Sequence, residues 1–195
     1  MYALAELADR FGLGFTGEAG KILTGIATLA EADAGDIAFL ANNPKIAAMV
    51  ARMPHPYGLK DAHAFIERNR DGGPNGSVYA VTLALTGRFI GCAGLDSSKG
   101  SGLELGYWLG EPFWGQGFAT EAAHALVDLA FEGTDVAMIT AACRISNPAS
   151  RRVIQKSGFQ HAGTGMMSSI AAGNVAIERF VLDRKTWASL RCWGR

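Results

Sequence analysis

The 195-residue chain lacks both an excess of charge and a long apolar run. Its 18 Lys and Arg residues balance 18 Asp and Glu residues, which argues against a protein that binds nucleic acid or a membrane surface through bulk positive charge. No segment approaches the ~18 uninterrupted apolar residues of a membrane span. The first ten residues contain acids where a signal peptide has a basic start and an apolar run. We therefore expect a cytoplasmic protein with neither a nucleic-acid nor a membrane partner.

Cysteine is also scarce. Cys92, Cys143 and Cys192 are an odd number without a CxxC pair, and the four histidines have no companion at metal-ligand spacing. These absences argue against a disulfide scaffold and against a metal site, and they favour reduced thiols. No Cys/His or Ser/His/Asp spacing indicates a nucleophilic catalytic set.

The chain does contain an alternation of helical and β-type segments. Helical patterns are predicted over 28–50 with a break at Asn43-Pro44, from an N-cap near Asp61, over 118–131 and over 148–157. Strands are predicted over 77–85, 88–95, 103–109, 136–142 and 174–182, the first two joined by a Thr86-Gly87 turn. The order indicates an α/β (α+β) domain with a mixed, mostly antiparallel sheet flanked by helices and one βαβ step in its second half.

A glycine-rich turn, Gly115-Gln116-Gly117, connects the third predicted strand to a helix. Glycine permits positive φ, so successive backbone N–H groups can converge on an anion such as a pyrophosphate at the helix N-terminus. An equally simple interpretation is a tight turn with no ligand. A P-loop needs Gly-Lys-Ser/Thr, whereas Phe118 follows here, and a dinucleotide fingerprint needs a third glycine where Thr120 stands.

Two motifs carry a family resemblance. Leu105–Leu109 with Trp114–Ala122 resembles the acetyl-CoA-binding core of the GNAT N-acetyltransferases, and is most similar to their ribosomal-protein-alanine N-acetyltransferase branch. Asn147–Phe159 is similar to the Asn-x-x-Ser…Lys-x-Gly-Phe helix of that branch, and the likeness covers about 28–182. It implies the GNAT fold, acetyl-CoA as co-substrate, and direct acetyl transfer to a primary amine of a protein N-terminus or a small molecule, by a monomer or homodimer. A catalytically silent acyl-CoA-binding module is the alternative.

The resemblance also implies contacts to acetyl-CoA. The third strand of such proteins is splayed from its neighbour, often at a bulge, which leaves backbone N–H groups to bond the pantetheine and to polarise the acetyl carbonyl. Trp114 stands where many members have Arg or Gln. The implied cofactor-binding residues are Tyr107, Trp108, Leu109, Trp114, Gly115, Gln116, Gly117, Phe118, Ala119, Thr120, Asn147 and Arg152.

Two residues are candidates for proton transfer. Glu104 precedes the first motif and is our candidate general base, acting through a water, although a solvated strand carboxylate or an ion-pair partner fits the position too. Glu111 is a second candidate base, but its place beside a proline favours a turn role. The resemblance places Ser150 near the departing sulfur, while its place in a first helical turn also suits a structural hydroxyl. The family often uses a tyrosine acid, and no tyrosine follows Tyr107.

The N-terminal part carries a second resemblance. Residues 4–43 are similar to the N-terminal domain of UDP-3-O-acylglucosamine N-acyltransferases, but the hexapeptide repeats of those enzymes are absent. We expect an N-terminal arm over 1–22 with no assigned role, followed by a GNAT acetyltransferase domain over 23–190. The acceptor groove is expected between the helices before Phe65 and the 158–174 region, neither of which shows an acidic cluster.

Overall fold

The computed structural model describes residues 26–29, 32–69, 76–97 and 102–192, so the expected arm over 1–22 lies outside the described residues. The elements in chain order are β1 (Ile26–Thr28), α1 (Ala34–Ala41), α2 (Pro44–Ala47), α3 (Leu59–Asn69), β2 (Gly76–Thr82), β3 (Phe89–Ser97), β4 (Leu103–Leu109), α4 (Phe118–Gly133), β5 (Met138–Arg144), α5 (Pro148–Lys156), β6 (Gln160–Ser169), β7 (Gly173–Asp183) and α6 (Arg184–Cys192). None of the described helices has both the length and the apolar character that a membrane crossing requires.

The strands form one seven-stranded sheet in the order β1-β2-β3-β4-β5-β7-β6. Only β4 and β5 run parallel, and helix α4 is the crossover that connects them. All other neighbours pair antiparallel. This confirms the predicted mixed, mostly antiparallel sheet with a single βαβ step.

The boundaries of several elements differ from the sequence-based prediction. The helix predicted from residue 28 is wrong at its start, because Ile26–Thr28 is an edge strand paired with β2. Asp61 lies in the first turn of α3 and not at its N-cap, and its carboxylate accepts a hydrogen bond from the Gly58 N–H at 2.9 Å. β6 and α6 were not predicted. β6 contains two glycines and is mostly exposed, so it lacks a regular apolar alternation, and α6 has no buried residue that would mark an apolar face.

Cross-strand partners share a face of the sheet, so the register separates two sets of side chains. Leu105, Ala141 and Phe180 lie on one face, which we call the back face. It is covered by α4, α5 and α6, with buried apolar residues of α4 such as Leu126 and Phe131 in the core.

The opposite face, the front face, carries Glu104 and Thr140. The segment that follows α2 crosses it, since the Arg144 guanidinium donates to the Ala48 carbonyl and the Ser169 hydroxyl donates to the Val50 carbonyl at 3.0 Å. The sheet therefore separates two chemically distinct environments.

Candidate active site

Strands β4 and β5 are paired over only the first part of their length. They pair over three positions, from Leu103 opposite Ile139 to Leu105 opposite Ala141, although β4 continues to Leu109 and β5 to Arg144. The carboxyl-terminal halves of the two strands are not paired with one another. This leaves an opening in the middle of the sheet, as expected for the third predicted strand (103–109), which is β4 of the structure. The expected bulge is absent on the other side of that strand, because the register between β4 and β3 is regular.

The register shows which amides of β4 face this opening. The Gly110 N–H donates to the Ile90 carbonyl at 2.9 Å, and residues of an antiparallel pair alternate between bonded and non-bonded positions. The Trp108 amide is therefore directed at β3, whereas the amides of Tyr107 and Leu109 are directed at the opening. Of the backbone amides at 107–109 that we expected to bond acetyl-CoA, only those of Tyr107 and Leu109 are directed at the opening.

The glycine turn closes the carboxyl end of the opening. Gly115 and Gly117 have φ of +73° and +93°, and a Cβ at either position meets no atom within 4 Å. Glycine is therefore required by the backbone conformation and not by crowding. The Trp114 indole N–H donates to the Leu109 carbonyl at 2.7 Å, and the Gln116 side-chain amide donates to the Pro112 carbonyl at 2.9 Å, so both side chains brace the turn.

Helix α4 begins at this turn without a side-chain cap. Its N-cap is Gly117, whereas Asn147 caps α5 and Asp33 caps α1 through side-chain oxygens. The N-cap residue therefore places no side-chain oxygen at this N-terminus, where the positive end of the helix dipole favours an anion; Glu121 is the acidic residue of the first turn. Turn and helix together fit a diphosphate.

A pair of hydroxyl groups lies on the back face of the opening. The Tyr107 hydroxyl is 2.9 Å from the Ser150 hydroxyl, and the Asn147 side-chain oxygen accepts a hydrogen bond from the Ser150 N–H at 3.0 Å. Burial raises the pKa of Tyr107 to about 12, with the Ser150 hydrogen bond acting in the opposite direction. Local sequence patterns do not indicate this contact, which joins residues 43 positions apart, although the alternation of β4 does place Tyr107 on the face of Leu105 and Leu109.

Glu104 lies on the front face at the start of the opening. It is exposed, it sits opposite Asp96 of β3 and Thr140 of β5, and within the described ranges it forms no hydrogen bond or ion pair. Asp96 is paired with Arg52. The two residues predicted for proton transfer, Glu104 and Ser150, are thus on opposite sides of the sheet.

Glu111, the second candidate base, is engaged elsewhere. Its carboxylate accepts hydrogen bonds from the Lys45 ammonium and from the Asn43 side-chain amide, the latter at 2.7 Å. The hydrogen bond from Lys45, followed by that from Asn43, lowers the pKa of Glu111. A low pKa and an ion pair suit a brace between α2 and the 3-10 turn at Glu111–Phe113, which supports the turn role.

One cavity of about 1820 Å³ spans both faces of the opening. Of the sequence-predicted site residues, Gln116 is outside its lining, and those that line it are Glu104, Tyr107, Trp108, Leu109, Trp114, Gly115, Gly117, Phe118, Ala119, Thr120, Asn147, Ser150 and Arg152. Within the described part of the chain, no group of three or more His, Cys, Asp and Glu side chains is arranged to hold a metal ion.

Comparison with known proteins identifies related sequences. The family model "Acetyltransferase (GNAT) domain" matches residues 24–160, which is more than half of the chain. The uncharacterized protein YkkB of Bacillus subtilis is 30% identical over 133 residues, 64% of this chain and 74% of that protein. The ribosomal-protein-serine acetyltransferase of Escherichia coli is 36% identical over 56 residues, 29% of this chain and 31% of that enzyme.

Solved structures share the fold. A GNAT-family acetyltransferase from Bacillus anthracis superimposes with a TM-score of 0.71 at 16% identity, covering 86% of this chain and 98% of that one. Spermidine N-acetyltransferase from Vibrio cholerae, in complex with CoA and spermine, gives 0.66 at 16% identity, covering 80% and 92%. At such identities the likeness establishes the architecture alone.

Proposed function

Because this chain belongs to the acetyltransferase (GNAT) family, we propose that it transfers the acetyl group of acetyl-CoA directly to a primary amine at the opening between β4 and β5. The observation that carries the proposal is the pair of β4 amides, Tyr107 and Leu109, that face the opening beside the N-terminus of α4, whose N-cap is Gly117. Residues 23–190 form the acetyltransferase domain in this proposal.

Different groups of the chain bind different parts of acetyl-CoA in this proposal. The backbone of 115–120 holds the diphosphate, because its positive-φ glycines and the first turn of α4 supply amides without a basic side chain. Trp114 contributes by fixing the turn to Leu109. Asn147 contacts the pantetheine, and Arg152, exposed on α5, reaches the 3′-phosphate.

Acetyl-CoA supplies the thioester as acyl donor. The amides of Tyr107 and Leu109 polarise the acetyl carbonyl, and preorganised donors of this kind typically stabilise a transition state by about 3 kcal/mol. Glu104 accepts the proton of the attacking amine through a water on the front face. On the back face Ser150 passes a proton to the departing sulfur and recovers one from solvent water, so that its hydroxyl is restored. Proton removal and proton delivery therefore occur on opposite sides of the sheet.

No acyl-enzyme is part of the proposal. Cys143 is buried at the end of β5, and burial raises the pKa of its thiol, with Glu178 adding to the effect. Burial also raises the pKa of the Cys92 thiol. The thiolate is the nucleophilic form, and a thiol with a raised pKa contains little of it at physiological pH, so neither cysteine suits covalent catalysis.

In our proposal Tyr107 orients the Ser150 hydroxyl for proton transfer to the departing sulfur. The geometry allows either hydroxyl to donate, and in our proposal Tyr107 donates to the Ser150 oxygen, which leaves the Ser150 proton for the sulfur. The raised pKa of Tyr107 supports this arrangement, because the phenol stays protonated at physiological pH. Tyr107 is a positioning residue that acts through Ser150.

Acceptor and location follow as parts of the same proposal. The acceptor amine belongs to a protein N-terminus or to a small molecule, and the protein acts in the cytoplasm as a monomer or homodimer. The three cysteines, all free, are compatible with a reducing compartment. The E. coli relative is named for acetylating a ribosomal protein, and the V. cholerae structure for acetylating spermidine.

A thiol-release assay tests the proposal. Purified protein is mixed with acetyl-CoA and a panel of primary amines and N-terminal peptides, and free CoA is measured. We expect amine-dependent release that Glu104→Gln reduces strongly. Tight CoA binding without release on any amine would instead support a silent acyl-CoA-binding module.

A further inference from the structure

Arg179 is a cation on the front face that has no partner among the residues the structure describes. It lies on β7 opposite Ala142, in the half of β5 that has left β4, and its side chain is exposed and lines the cavity. It forms no hydrogen bond or ion pair with any described residue. Other arginines are engaged: Arg52 with Asp96, Arg151 with Glu178, Arg191 with Glu132, and Arg144 with the Ala48 carbonyl.

The backbone of β6 makes room for this side chain. A Cβ at Gly165 would lie 2.9 Å from the Cζ and Nη2 atoms of Arg179, so the guanidinium rests against bare backbone. The register of β6 against β7 shifts between His161 and Gly163, directly beside the Arg179 position, and Gly163 has φ of +126°. Bulges of this kind often lie next to active sites, where they redirect a side chain.

Glu104 is the counterpart of Arg179. Both lie on the front face, and neither is neutralised by a described residue. The register places them two interstrand steps apart, roughly 5 Å each, with Arg179 two residues nearer the open end than Val181, which is in line with Glu104. Arg144 and the Arg52–Asp96 pair also carry charge on the front face, but each of them is held by a described partner. Glu104 and Arg179 are therefore a negative and a positive group that both remain available, separated by about the length of a small molecule or a dipeptide.

We infer that the acceptor is a primary amine that also carries an anionic group, and that Arg179 binds that group while the amine lies at Glu104. This inference rests on the proposed function. A guanidinium presents a planar fork of donors that matches a carboxylate or a phosphate, and such charge-assisted bonds are among the strongest. A polycation would instead place a charge against Arg179, so the geometry disfavours polyamines.

Matched acceptor pairs test the inference. The pairs are 4-aminobutyrate with its carboxamide, phosphoethanolamine with ethanolamine, and the peptide amides Ala-Glu with Ala-Gln; the three pairs distinguish a small carboxylate, a phosphate and an acidic peptide. For at least one pair, wild-type protein is expected to show a KM about tenfold lower for the anionic member, with similar kcat. Arg179→Gln is expected to remove that difference by raising the KM of the anionic member alone, and Arg179→Lys to retain part of it.

Controls separate this inference from the proposed function. Lys185→Gln removes an exposed cation from α6, away from the cavity, and should leave both KM values unchanged. The same pairs are also titrated calorimetrically into the CoA-loaded protein, so Arg179-dependent binding of anionic amines is measurable even without turnover. Turnover with equal KM for both members of every pair would overturn the inference and leave the acetyltransferase proposal standing. Arg179-dependent binding of the anionic amines without turnover would support the role of Arg179 and overturn the acetyltransferase proposal. If Arg179→Gln raised the KM of both members of a pair equally, Arg179 would have a merely structural role.

Discussion

The two faces of the opening differ in how their polar groups are satisfied. On the back face Tyr107, Ser150 and Asn147 bond to one another, and Arg151 pairs with Glu178. On the front face Glu104 has no partner among the described residues. In our proposal the back face binds acetyl-CoA, the same co-substrate in every turnover, whereas the charge on the front face is left for the acceptor.

The largest effect is expected on the front face, from Glu104→Gln. Loss of the base should lower kcat by about a hundredfold or more, while CoA binding is unchanged, because general base catalysis contributes about 10²–10⁴-fold. Steady-state kinetics with a saturating amine measure it. Asp135→Asn, an exposed acid outside the cavity lining, is the matched control. A loss smaller than about threefold would mean that Glu104 is a solvated strand carboxylate.

On the back face, Tyr107→Phe and Ser150→Ala test whether the two hydroxyls act together. Each should lower kcat about tenfold with little change in the KM of acetyl-CoA. The double variant should be no slower than the slower single variant, because Tyr107 acts only by orienting the Ser150 hydroxyl and has no effect once that hydroxyl is removed. Tyr79→Phe, a buried tyrosine on the same face of β2, is the control. Additive losses would contradict the coupling.

The pH dependence of kcat tests whether the Tyr107 hydroxyl stays protonated. The pKa of Tyr107 is raised to about 12, so its hydroxyl remains protonated up to pH 10 and above. We therefore expect kcat to show no falling limb from tyrosinate formation below pH 10 in the wild type. A limb near pH 10 that disappears in Tyr107→Phe would show that the phenol is exposed to solvent and titrates normally.

A smaller effect is expected at the glycine turn shared by both faces. Gly117→Ala forces an alanine to a φ of +93°, at a strain of roughly 1 kcal/mol, and should weaken CoA binding about fivefold. Calorimetric titration with CoA measures it. Gly133→Ala at the end of α4 has no positive φ and no close neighbour, and should bind CoA like the wild type. Equal affinity in the two variants would show that the turn does not hold the diphosphate.

The smallest effect is expected at Glu111. If this residue only braces the turn against Lys45 and Asn43, Glu111→Gln should raise the KM of acetyl-CoA about twofold and leave kcat unchanged, because an exposed ion pair contributes little. A kcat loss as large as that of Glu104→Gln would make Glu111 the base instead.

The sequence predicted the back half of the site better than the front half. The bounds of β4, the glycine turn and the start of α5 follow from local signals, namely apolar alternation, two glycines one residue apart and a proline that follows an asparagine. The resemblance supplied the cofactor and the reaction. What local signals could not supply is the contact of Tyr107 with Ser150, which depends on where α5 packs on the sheet.

The front half depends on β6, which the sequence did not predict. Its glycines and exposed positions leave no apolar alternation by which the strand could be predicted. Gly163 and Gly165 are nevertheless the residues whose backbone leaves room for the Arg179 side chain. Arg179 could not be singled out from sequence for the same reason: its lack of a partner is a property of the packed sheet and not of its neighbours in the chain.

The central claim is that the opening between β4 and β5 receives coenzyme A. Residue-resolved amide hydrogen exchange with and without saturating CoA tests it most directly. The account predicts that the amides of Tyr107 and Leu109 exchange faster than that of Trp108 in the free protein and become protected when CoA is added, while the protection of Trp108 barely changes. CoA binding that leaves the exchange of Tyr107 and Leu109 unaltered would contradict it.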